Sequence, residues 1–361
     1  MRRLGKAAAF ASPVLIAFLL TPSRAEAWDR GPVKTFAVLP SGSSGPEGLD
    51  VDSAGNVYVT TFGFTGSGPV SGEAQLFVFD RHGRLIRQVS IAGSSAHLLG
   101  LRFHPTTGAL LANDFGGGKV LNVNPHTGAT SVFMTLPALP HPGGSGLNDI
   151  TFDKSGNVYV SDSSQGIVWI VPPTGGEAKV WVDSALLRTA GVPPFGANGL
   201  RFNRLETALF VANTGDDTVI KIPVAGGTAG TPTIFVNAIN GADGLLIDEH
   251  DNLWVAANQA DEIVVVDPTG RAIAKLGDFG GLTHSGKPIH LLFPASIRFS
   301  GKNLLVTNLA LDLRIFSPDF ATVDSEWAAQ VSRYTIAKLP ARIPEVRGSS
   351  EDSRDDDRDD D

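Results

Sequence analysis

Apolar and polar positions alternate along the chain in short bursts, each ended by Gly, Pro, Asn or Asp. Such alternation predicts half-buried β-strands, and the punctuation predicts tight turns. The stretch Gly146 to Asp162, GLNDITFDKSGNVYVSD, shows the unit. Leu147, Ile150 and Phe152 lead into Asp153-Lys154-Ser155-Gly156-Asn157, and Val158, Tyr159 and Val160 return. Close copies begin at Pro46, Ala197 and Ala242, and looser ones at Leu98 and Pro294. A third strand follows in each copy, as at Leu76 to Phe79, Ile167 to Ile170, Val219 to Ile222 and Ile263 to Val266. Fourth strands follow further turns, as at Thr130 to Leu136. Repeats of this length and strand content predict an all-β fold, a six-bladed β-propeller with four antiparallel strands per blade over residues 28–347.

The sixth repeat is the least regular. Leu313 to Phe316 reads as its third strand. Two segments compete for its outermost slot: Tyr334 to Leu339, and Val33 to Leu39, which precedes the first repeat and resembles a fourth strand. The second choice closes the ring and hides an edge.

Register gives the repeat chemical content. The position five residues before the turn-opening Asp52, Asp153, Asn203 and Asp248 holds Glu47, Asn148, Asn198 and Asp243, and the looser copies hold Leu99 and Ala295 there. These positions recur every 45 to 52 residues. The innermost strand of each blade lines the central channel, so the four oxygen-bearing side chains converge at its mouth. Two carboxylates and two amides make a hard-ligand set suited to Ca²⁺, with no His or Cys to favour zinc or copper. Gly48, Gly100, Gly199 and Gly244 directly follow ring positions and allow close backbone approach. Second strands end on the same face at Thr61, Asn113, Asp114, Asp162, Asn213, Asn258 and Asn308, which are candidates to support the ring or to form turns.

Composition removes other classes. There is no cysteine, which excludes disulfides and thiolate zinc sites. No basic patch points to nucleic acid. The formal net charge is -8, and most of it lies in Glu351 to Asp361; residues 348–361 read as a disordered acidic tail. Arg2, Arg3 and Lys6 precede an apolar run from Ala7 to Leu20, too short for a comfortable membrane span, and Ala25-Glu26-Ala27 fits a cleavage site. Residues 1–27 therefore read as a signal peptide. The mature chain is expected to begin at Trp28, to be periplasmic or secreted, and to be a monomer with no membrane contact after cleavage.

The repeats resemble the senescence marker protein/gluconolactonase superfamily, which also includes paraoxonases, across roughly residues 32–320; the GNVYV strands also resemble NHL repeats. The resemblance implies a catalytic calcium held by Glu47, Asn148, Asn198 and Asp243, in that chain order. It further implies a second, structural ion near Asp149, which follows the first ring Asn. This chain departs from the paraoxonase pattern at Leu99, where a His is expected, and at Gly244, where an Asn ligand is expected. It departs from gluconolactonases at Gly146, where they carry an Arg. The implied function is an exported calcium-dependent hydrolase of a small-molecule lactone or ester, with Ca²⁺ polarising the carbonyl for attack by water. Asp243, His97, His141 and His290 are the candidate bases. No nucleophile elbow or phosphate-binding loop is present in the sequence. The alternative is a non-catalytic propeller that binds a protein, glycan or small ligand on the same face.

Overall fold

The computed structural model describes residues 28–344. The expected signal peptide, the expected acidic tail and the last three residues of the expected propeller lie outside the described residues. No helix among the described residues is long and apolar enough to cross a membrane.

The repeated turn explains why the sequence breaks where it does. Asp52 Oδ1 accepts from the backbone N of Ala54 (2.9 Å) and Asn56 (2.8 Å), while Oδ2 accepts from Asn56 Nδ2 and Tyr58 Oη. Asp153 makes the matching bonds to Asn157 and Tyr159. Asp248 does the same with Asn252 and the Trp254 indole. One carboxylate thus folds the turn and pins the returning strand's aromatic residue.

Six sheets of at least four strands result. In the first blade the order is Pro46–Val51, Val57–Thr61, Gln75–Phe79 and Leu85–Ser90, antiparallel throughout. Innermost strands of neighbouring blades face one another around the channel. The core lies between blades, where apolar side chains interdigitate: Leu49, Val59 and Phe77 of the first pack with Leu305 and Ile336 of the sixth.

The sixth blade corrects one expectation and reconciles two others. Leu313–Ile315 is a turn of 3-10 helix, not a strand. Asp312 caps it by accepting from the Arg314 backbone N, and the Arg314 guanidinium folds back onto the same carboxylate. The third-strand slot goes to Thr335–Pro340, which pairs with Asn303–Asn308. Lys34–Val38 then forms the outermost strand, with Lys34 opposite Lys338 and Val38 opposite Thr335. Both competing segments are therefore used, in adjacent slots. Val33 and Arg30 extend the seam to the fifth blade, Val33 packing near Leu276 and Arg30 pairing with Glu262. The chain between Asn308 and Thr335 rises over the channel mouth as a cap of short helical turns, Leu313–Ile315, Pro318–Phe320 and Ser325–Ala328.

Candidate metal centre at the channel mouth

Every innermost strand carries a bulge at the ring position. The register with the second strand slips between Pro46 and Leu49, Leu98 and Leu101, Leu147 and Ile150, Ala197 and Leu200, Ala242 and Leu245, and Pro294 and Ile297. A bulge leaves one residue out of the ladder and re-aims its side chain. Here each bulge holds the ring position and the residue after it opposite a single residue of the second strand.

Glu47, Asn148, Asn198 and Asp243 line a single cavity, with Asn258, Thr214 and Leu99 also in its wall. All four ring residues are buried, at 3 to 5% exposure. Their amide and carboxylate orientations are fixed from behind. Asn148 Nδ2 donates to Ser163 Oγ (3.1 Å), whose hydroxyl donates to Ala197 O (2.6 Å). Asn198 Nδ2 donates to Thr214 Oγ1 (2.9 Å), whose hydroxyl donates to Ala242 O (2.7 Å). Asn258 Nδ2 donates to Asp243 Oδ2 at 3.0 Å. Glu47 Oε1 accepts a long bond from Ser296 Oγ (3.5 Å).

What remains are acceptors. Glu47 Oε2, Asn148 Oδ1 and Asp243 Oδ1 on the ring, and Asn258 Oδ1 in the same wall, are buried and have no hydrogen-bond partner. A buried polar atom left alone costs about 1–3 kcal/mol, more when charged. The three on ring residues, all oxygen and two from carboxylates, fit a hard cation. Burial pushes the Glu47 carboxyl well above its ordinary value, and the charges of Asp243 and Asp149 add to it. Burial likewise raises Asp243 to about 7; Asp149 adds, while the hydrogen bond from Asn258 opposes. These are the electrostatics of a charge cluster that a cation would relieve. Among the described residues no three His, Cys, Asp or Glu side chains group as metal ligands. The fit depends on the amides.

Asp149 is placed differently from the other candidates. Its Oδ2 accepts from Arg201 Nη1 (2.7 Å) and its Oδ1 from the Ile150 backbone N (2.8 Å). Burial acts to raise it, but Arg201, Arg298 and Arg102 outweigh that and hold it below its ordinary value. A second cation there would have to displace a guanidinium.

The histidines are not brought into the cavity. His97 Nδ1 lies 2.6 Å from Phe62 O, and its ring sits beside Phe64. His290 pairs with Asp278 at 2.7 Å, and His141 pairs with Asp183 at 2.7 Å. Of the candidate bases, Asp243 alone lines the cavity. Of the second-strand ends, Asn258 alone gives a side-chain bond to a ring side chain; Asn113 reaches the Asn148 backbone carbonyl (2.8 Å) instead. Ser163 and Thr214, one residue beyond their strand ends, were not singled out by the sequence. Their signal is a hydroxyl fifteen or sixteen residues after each ring Asn. Replacing them, by Ser163→Ala and Thr214→Val, is expected to weaken calcium binding about tenfold each, as measured by calorimetry. Unchanged affinity would show that the amides hold their orientation without them.

Above the ring the mouth is apolar. The ring residues Leu99 and Ala295 join Phe62, Phe293, Leu309 and Leu311 in one cluster, against which Phe64, Phe115 and Phe195 pack. Phe316 from the cap meets Phe64 and Phe195 edge-on. The cavity is open toward the mouth, and about 20 Å³ of it admits a water-sized sphere, room for an ion or a water.

The fold and site define a class: a six-bladed propeller whose channel mouth gathers register-matched oxygen-bearing side chains. Residues 94–277, just over half the chain, match the family described as SMP-30/gluconolactonase/LRE-like region, and the chain belongs to that family. Similar solved structures include a luciferin-regenerating enzyme, with 15% identity, 86% of this chain and 95% of that chain covered, and a TM-score of 0.61. A gluconolactonase from Xanthomonas campestris is 13% identical, covering 87% and 90%, at a TM-score of 0.57. A calcium-binding protein, regucalcin, from Agrobacterium tumefaciens is 15% identical, covering 88% and 97%, at a TM-score of 0.58. At these identities the likeness shows the fold. No curated protein matches the sequence.

Proposed function

We propose that the protein is a calcium-dependent hydrolase of apolar lactones or esters. The observation that carries this is the set of three partnerless buried oxygens on Glu47, Asn148 and Asp243 in one cavity. Calcium, when bound, would supply Lewis-acid polarisation of the substrate carbonyl. Glu47, Asn148, Asn198 and Asp243 would hold it. Asp243 is the one candidate base that lines the cavity; with Oδ1 toward the ion, its Oδ2, held by Asn258, would receive the proton from an attacking water. The phenylalanine-rich mouth binds an acyl or aryl group and excludes water. It offers few partners for the hydroxyls of a sugar lactone, which would be buried without hydrogen bonds. Family membership supports the lactone-or-ester reading.

The test is turnover on a panel of alkyl lactones, aryl esters and a polyhydroxylated lactone, with calcium and with chelator. Calcium-dependent turnover of the apolar members is expected. Calcium binding without turnover of any member would favour the binding propeller.

We further propose that the protein is exported. The basic start, short apolar run and Ala25-Glu26-Ala27 support it. N-terminal sequencing of protein made in a bacterial host is expected to begin at Trp28, and retention of Met1 would overturn it.

A further inference from the structure

Below the ring the channel changes sign. Three residues further along each innermost strand, about 10 Å deeper by strand rise, stand Asp50, Arg102, Thr151, Arg201, Leu246 and Arg298. Arg201 and Arg298 are each 6% exposed. Arg298 spends Nε on Asp50 Oδ1 (3.2 Å) and Nη1 on Ile297 O (2.7 Å). Arg201 directs Nη1 to Asp149, to Ile150 O (3.1 Å) and to Leu200 O. Its Nε and Nη2 are buried with no partner, and so is Nη1 of Arg102. The guanidiniums feel one another: after burial, the charges of Arg201 and Arg298 are what push Arg102 below its ordinary value.

We propose that this layer holds one small monovalent anion, chloride in ordinary salt solutions, between Arg102 and Arg201 with Arg298 alongside. Two arguments set the class of ligand. The first is hydrogen-bonding type. The partnerless groups are all donors, and a halide accepts from several directions without presenting hydrogens of its own, whereas a water would. The second is charge. Glu47, Asp50, Asp149 and Asp243 bring four negative charges to the channel, and the three arginines bring three positive ones. A divalent cation in the ring turns that balance to one positive charge, which one monovalent anion cancels. This second argument rests on the calcium reading of the ring; the first does not. A buried excess charge is costly, so cation and anion should bind cooperatively, each tightening the other several-fold.

The experiment uses bromide as the probe. Crystals of the full mature chain grown in calcium and bromide are expected to show anomalous scattering between Arg102 and Arg201. In solution, bromide replacing methanesulfonate at constant ionic strength should raise Tm saturably, by roughly 2–4 °C. Arg102→Met should abolish the response. If that variant does not fold, the wild-type crystal and melts decide alone. No anomalous peak, with equal melting in the two salts, would overturn the proposal and leave water on the arginines. Bromide found in the channel of a protein that binds no calcium would overturn the ring reading and keep the anion site. Calcium in the ring with no bromide below would overturn the anion site alone.

Discussion

Glu47→Gln and Asp243→Asn are each expected to lower calcium affinity at least tenfold while raising the stability of the calcium-free protein. The two effects have one cause. Each carboxylate is buried, and burial holds both above their ordinary values. Neutralising either relieves a repulsion when the ring is empty and removes half its charge when an ion arrives. Calcium affinity tracks ligand charge, so the thermal shift on adding calcium should shrink as the calcium-free Tm rises. Hydrolysis should fall with occupancy and return at high calcium. The pH dependence has a definite sign. Asp243 at about 7, against an ordinary 3.8, makes the folded, calcium-free form bind more protons than the unfolded one. Its stability should therefore fall as pH rises from about 4 to about 7, and calcium should remove the fall. Variants that melt like wild type with and without calcium would show that these carboxylates do not share an ion.

Gly199→Ala is expected to destabilise the protein by roughly 2–3 kcal/mol and lower Tm by about 3–5 °C. A Cβ there would meet the carbonyl oxygen of Asp243, the backbone N of Leu245 at 2.7 Å and the Cα of Gly244 at 3.0 Å. All are backbone atoms of the next blade's bulge, so no side chain can swing away. The neighbouring strand must move, and Asp243 moves with it, so calcium binding should weaken as well. Gly144→Ala is the control, because a Cβ there meets nothing within 4 Å. A Tm within about 1 °C of wild type for Gly199→Ala would mean that the blades are not held this close.

Much of this was legible because a repeat writes the same physics several times. The Asp that opens each turn and the residue five places before it share one register, so the ring could be read without a structure. The bulges could not, because they arise from pairing with the second strand and leave no residue type of their own. Contacts between blades were also hidden. Asp149 looks like a metal ligand from its neighbour Asn148, yet its partner Arg201 lies 52 residues away, one blade on. His97 and His290 are close in sequence to ring positions, but strand direction turns them toward Phe62 and Asp278 instead. Leu313 to Phe316 has the apolar content of a strand and no free strand beside it to pair with. A capping Asp312 and the better-matched Thr335–Pro340 decide the outcome.

The seam of the sixth blade bears on when the molecule acquires its shape. Lys34–Val38 is the first of the described strands to be made and must wait for Thr335–Pro340, the last of them, before it has a partner. Until then five blades stand as an open arc with a bare strand edge at one end. Joining them spans a very long loop, a slow step by topology but one whose entropic cost grows only logarithmically with length. The arc is the species exposed to proteases and to edge-to-edge association. A ring closed by its earliest and latest described strands stays open until the later one has been made.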